Sequence, residues 1–180
     1  MAKAIASLAV VCVGLVVCTA ARQAQQDKST RPSPPAKATL DLGGGKSITI
    51  DYSSPRLKGR KLGQELAPYG QVWRTGANEA TTFVSTTDIT VGGTPVPAGS
   101  YTLFTIPDKE KWILIVSKTT GEWGTNYSGP SNDLARVDMK VSALPSSVEN
   151  FTISFDKTGT GGTLNLDWDT TRASVAIVKK

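Results

Sequence analysis

From Ala38 onward the chain alternates between apolar and polar positions with a period of two. Ile48, Ile50 and Tyr52 fall on one side of an extended chain, with Ser47, Thr49 and Asp51 on the other. Residues 39–42 alternate in the same way, and Gly43-Gly44-Gly45 between the two stretches predicts a hairpin. Further strands are expected at 80–86, 88–91, 100–106, 111–117, 135–141, 151–155, 163–168 and 173–178, rich in Thr, Val, Ile and aromatic residues. Turn chemistry separates them at 92–94, 107–110, 158–162 and 169–171. The unbroken run Ile113-Leu114-Ile115-Val116 predicts a central strand covered on both faces. No useful helix is legible beyond one turn at 64–66. About ten short strands with frequent turns predict an all-β fold, an antiparallel β-sandwich that is jelly-roll-like or similar. The expected single domain is 38–180, large enough to bury a core without disulfides.

The N-terminal end breaks this pattern. Met1-Ala2-Lys3 and the apolar run 4–17 read as a secretory signal peptide over 1–20, too short for a comfortable membrane span. Ala20 or Ala21 supplies a small residue for cleavage. Leu15-Val16-Val17-Cys18 also resembles a lipoprotein box, with Val17 where Gly, Ala or Ser is usual. Lipidation at Cys18 would anchor the chain to a membrane, its one expected membrane contact. Residues 21–37 hold no large apolar side chain, and Gln, Ser, Pro and Lys predict a disordered linker. Export is therefore expected, to the periplasm or outside, free or anchored at the outer membrane.

Charge narrows the function classes. The formal net charge of +5 resides mostly in the leader and linker; 38–180 carries 15 basic and 14 acidic residues. A near-neutral body offers no compositional support for nucleic-acid binding. Histidine is absent, and both cysteines, Cys12 and Cys18, lie in the leader. The folded region thus lacks the commonest general base, a thiol nucleophile and any Cys/His zinc site. No cofactor is expected. Asp167 and Asp169 flank Trp168, but a turn position accounts for Asp169 better than a metal does.

The densest mixed chemistry is at 68–82, where Trp73, Arg74, Asn78 and Glu79 surround a break at Thr75-Gly76-Ala77-Asn78. Arg74 and Glu79 are close enough in sequence to form an ion pair pinning that turn; alternatively they, with Asn78 and Trp73, build a polar-ligand site. The loop carrying Arg56, Lys58, Arg60 and Lys61 reads as a solvated surface, or as a basic rim folded toward Arg74. The stretch 119–133 is a long polar loop, yet Trp123 and Tyr127 argue against disorder.

Taken in order, Ser54-Pro55-Arg56-Leu57-Lys58-Gly59-Arg60, the 68–82 window, Pro97-Ala98-Gly99-Ser100-Tyr101-Thr102-Leu103-Phe104 and Trp123-Gly124-Thr125-Asn126-Tyr127 resemble the bacterial domain-of-unknown-function family 2911. Phe151-Thr152-Ile153-Ser154-Phe155 and Trp168 fit its C-terminal part, and the likeness covers roughly residues 38–178. The resemblance implies an exported bacterial protein. It implies no activity and transfers no catalytic residue, but it draws attention to these polar-aromatic loops, which folding alone rarely requires.

Three function classes follow. A binding domain would present Arg56, Lys58, Arg60, Trp73, Arg74, Asn78, Glu79, Trp123 and Asn126 to a small acidic or sugar-like ligand, with arginine forks for anions and indole faces for rings. A structural or envelope-assembly domain would use the same residues to lock loops together. A hydrolase or isomerase would use Glu79 as acid or base, with Arg74 beside it and Glu122 or Asp133 as a second carboxylate. Missing histidine and cysteine favour binding over catalysis.

Overall fold

The computed structural model describes residues 28–180. The leader, its cleavage residues and Cys18 lie outside the described residues. Nine strands follow one another: β1 (Pro35–Gly43), β2 (Lys46–Ser53), β3 (Thr81–Ser85), β4 (Ile89–Val91), β5 (Thr94–Val96), β6 (Gly99–Ile106), β7 (Lys111–Ser117), β8 (Asp133–Thr158) and β9 (Gly161–Lys179). All pair antiparallel in one sheet of order β1-β2-β3-β6-β7-β8-β9-β4-β5, which does not close. The all-β antiparallel class is the expected one. Two 3-10 turns, Lys28–Thr30 and Pro130–Asn132, are the helical elements among the described residues.

The β1–β2 hairpin turns at Gly43, Gly44 and Gly45, with φ of 75°, 60° and 72°, a backbone that side-chain-bearing residues seldom adopt. Ile48, Ile50 and Tyr52 are buried on one face of β2, as the alternation requires. The sheet curls until β1 packs against β8 and β9 without pairing to them. Trp112, Leu114 and Val116 of β7 point into the main core. Ile115 joins Phe104 and Ala80 in a second cluster on the other face, partly covered by Val72 and Tyr127. The central strand is thus buried on both sides.

The last two strands depart from expectation. Segments 135–141 and 151–155 belong to one long strand, β8, and 163–168 and 173–178 to another, β9. Asp169-Thr170-Thr171 does not turn a hairpin; the strand continues through it. The register shifts between Ala143 and Val148 and again between Val148 and Thr152, so β8 carries extra residues over a bulge. Asp169, at φ 52°, absorbs the kink on the opposing strand. Residues 144–150, which include Pro145, do not alternate cleanly, and a bulge of that size reads as a loop.

The bulge then seats the basic loop. Leu57 N donates to Glu149 O at 3.0 Å, Phe151 N to Pro55 O at 2.9 Å and Lys58 N to Glu149 Oε1 at 2.9 Å. Beneath it lies an aromatic cluster. Trp73 stacks on Trp168 with centroids 5.4 Å apart and meets Phe151 (4.9 Å) and Trp112 (6.3 Å) edge-on. Four separate parts of the chain meet in these rings.

Candidate functional site

The segment 54–80 crosses the end of the curled sheet without forming a strand, and it positions most of the candidate residues. Leu57, Leu62, Leu66 and Ala67 bury into the core. Trp73 and Thr105 exchange backbone hydrogen bonds of 2.7 and 2.8 Å, pinning the segment to β6. Thr75 follows at φ 54° with no exposed surface, an outlier for a β-branched residue. Its carbonyl accepts from Thr81 Oγ1 at 2.7 Å, which holds the strained turn closed. Gly76 has Ser53 O and Thr81 Oγ1 where a Cβ would stand, at 3.0 and 2.9 Å, so the turn lies tight against β2.

This turn separates two surface hollows. The larger, about 540 Å³, is bordered by Arg60, Gln71, Trp73, Arg74, Thr125 and Trp168, among others. Arg74 Nη1 donates to Thr125 Oγ1 at 3.3 Å, and its Nε is buried with no hydrogen-bond partner. Burial draws the guanidinium below its ordinary pKa. Among the described residues no carboxylate pairs with Arg56, Arg60 or Arg74. Trp73 is only 7% exposed, so most of its indole belongs to the core rather than the hollow.

The smaller hollow, about 390 Å³, lies beside β1, β2 and β3 and is bordered by Lys28, Asp51, Glu79, Thr82, Gly121 and Glu122, among others. The expected Arg74–Glu79 ion pair does not form. Glu79 instead accepts from Lys28 Nζ at 2.9 Å and from Arg31 Nη1 at 3.0 Å. Burial opposes its ionisation, but hydrogen bonds from Lys28, its own backbone amide and Arg31 outweigh that and hold the carboxyl at about 2. Glu122 moves the other way: burial raises its carboxyl, and Oε2 is enclosed without a partner. Asp51 pairs with Lys37 at 3.1 Å.

The remaining candidates divide by role. Arg56 Nη1 donates to Ser54 Oγ at 2.9 Å, and Arg60 donates to the carbonyls of Leu57 and Arg56 at 3.1 and 3.0 Å, so both brace their own loop. Lys58 is exposed at φ 49°. Asn78, at φ 57°, donates to Ser33 O at 3.1 Å and accepts from Gly124 N at 3.0 Å. Trp123 is 63% exposed and stands opposite Glu79 in an antiparallel bridge. Asn126 is exposed. Asp133 does not reach Glu79: its oxygens accept from Tyr127 Oη at 2.8 and 2.7 Å, and Arg136 lies 3.6 Å away. Asp167 is held by both guanidinium arms of Arg172, at 2.7 and 2.6 Å. No group of three or more acidic side chains is placed to hold a metal among the described residues.

Sequence reasoning missed Lys28 and Arg31. Both fall in the expected 21–37 linker, yet Lys28–Thr30 forms a 3-10 turn and β1 begins at Pro35. Arg31 is 48 positions from the carboxylate it binds, and no local pattern signals such a pairing.

The described residues thus form an open, curled, nine-stranded antiparallel domain with two hollows beside one strained turn. The chain belongs to the family described as "Protein of unknown function (DUF2911)", whose model matches residues 33–177. No curated protein and no solved structure was found to match it.

Proposed function

We propose that this is an exported binding domain that takes a small anionic ligand, through a carboxylate or phosphate group, in the hollow between Arg60 and Arg74. The observation that carries the reading is the Arg74 guanidinium: partly buried, bordering an open hollow, without a carboxylate partner among the described residues and with Nε unsatisfied. A desolvated cation of that kind is costly unless something completes its hydrogen bonds. A planar anion matches the guanidinium fork. The strained backbone at Thr75 beside it is the kind of feature that persists where geometry is held for a purpose.

The structural alternative accounts for Arg56, for most of Trp73 and for the Arg74–Thr125 contact, but it leaves Arg74 Nε without a partner. The carboxylate-enzyme alternative draws on Glu79 and Glu122 bordering one hollow with their pKa values pushed apart. Against it, Glu79 is already engaged by two cations. Binding is therefore the preferred reading.

Calorimetric titration of the purified protein with glucuronate and with inorganic phosphate tests it. One of the two is expected to bind, and Arg74→Ala to weaken that binding about tenfold or more. Arg74→Lys should recover only part of the affinity, because an ammonium lacks the paired donors. Equal affinity in the parent and in Arg74→Ala, or no binding of either probe, would remove the proposal.

A further inference from the structure

The smaller hollow differs from the Arg74 hollow in its charge. Glu79 is balanced by Lys28 and Arg31, and Asp51 by Lys37. Its border therefore presents a fixed array of donors and acceptors whose charges largely cancel among themselves. Among the described residues an anion finds no unpaired cation there. A simple cation would compete with ammonium and guanidinium groups already in place.

Trp123 follows Gly121 and Glu122, which border this hollow, and is bridged to Glu79, which borders it too. Ala80 N donates to Glu122 O at 3.1 Å and Gly124 N to Asn78 O at 3.0 Å, bracketing Glu79 and Trp123. These two are consequently a non-hydrogen-bonded antiparallel pair, the arrangement in which opposed side chains stand closest and on the same face. Glu79, together with Gly121 and Glu122 from Trp123's own loop, borders the hollow. At 63% exposure, Trp123 contrasts with Trp73, Trp112 and Trp168, at 7%, 1% and 1%. Glu122 Oε2, enclosed and unpartnered, adds an unsatisfied polar atom on the same border.

We infer that this hollow is a second site, independent of the Arg74 hollow, that binds a neutral sugar ring stacked against Trp123. Such a ring has one apolar C–H face for an indole and a rim of hydroxyls. Those hydroxyls both donate, as the Glu79 and Asp51 carboxylates require, and accept, as the Lys28 ammonium requires. A volume of about 390 Å³ is within the range of small-molecule sites and admits one or two such rings.

Because the other three tryptophans are buried, quenching of intrinsic fluorescence by iodide reports mainly on Trp123. Maltotriose, cellotriose and fully N-acetylated chitotriose are the probes, each raised to about ten millimolar, which spans the weak affinities ordinary for single-ring stacking. At least one is expected to shield the quenchable fraction. Calorimetry with that sugar should then show binding about fivefold or more weaker in Trp123→Ala and largely kept in Trp123→Phe. Inorganic phosphate, a probe of the Arg74 hollow, should leave the quenchable fraction unchanged, so this inference and the anion reading fail separately. Absence of shielding by all three sugars overturns the inference, as does unchanged affinity in Trp123→Ala.

Discussion

Glu79 ties the N-terminal segment to the domain, and its ionisation gives that tie a pH dependence. Its carboxyl stands at about 2 in the folded chain against an ordinary 4.5. A carboxylate lowered on folding contributes its full stabilisation above the unfolded value and loses it as pH falls through the folded one. Stability from the Lys28 and Arg31 contacts should therefore decline between pH 4.5 and about 2. Glu79 is 35% exposed and Lys28 50%, so solvent and salt screen the interaction, and we expect under about 1 kcal/mol. Glu79→Gln should lower stability slightly at pH 7 and flatten the acid limb of the curve, as followed by chemical denaturation across pH. An unchanged acid limb in that variant would place the dependence on another carboxylate.

At the scale of elements, the two long strands dominate. The β8–β9 hairpin reverses over Gly159 and Thr160, between Thr158 and Gly161. A Cβ on Gly161 would run into the Ile177 carbonyl, whereas one on Gly159 would meet nothing within 4 Å. Backbone atoms cannot step aside as a flexible side chain can. Gly161→Ala is expected to cost about 2–3 kcal/mol of unfolding free energy and Gly159→Ala to fall within about 0.5 kcal/mol of the parent. Equal denaturation midpoints for the two variants would contradict that packing. The hairpin itself was legible in the glycine-rich turn. The continuity of β8 and β9 was not, because a bulge breaks the alternation as thoroughly as a loop does. Only the partner strand distinguishes them.

For the molecule as a whole, the N-terminal segment links the proposed site to the proposed route of export. Lys28 borders one hollow, Ser33 the other, and between them Arg31 grips Glu79. Any tether running from Cys18 would thus reach the domain beside both sites. Cell fractionation of the full-length chain tests the export proposal: a processed chain is expected in the envelope, and an uncleaved chain in the cytoplasm would refute it. If Cys18 is the anchor, Cys18→Ser moves the protein from the membrane to the soluble periplasmic fraction. If Ala20 or Ala21 is the cleavage point, the chain is soluble with either residue.

The alternation in β2, the glycine turn after β1 and the apolar run in β7 determined the all-β class, because a period of two is written locally in each strand. The ordered loop motifs determined the family likeness for the same reason. Which residues share a hollow was decided by the tertiary structure alone. Arg74 and Glu79 are five positions apart, yet the strained turn sends them to opposite sides, and Glu79 takes partners from the far N-terminal segment. Trp73 resembled a ligand platform in sequence and proved to be mostly core, whereas Trp123 is exposed. Side-chain type records what chemistry is available. Burial and pairing depend on segments brought together across the whole chain, and no local pattern contains that information.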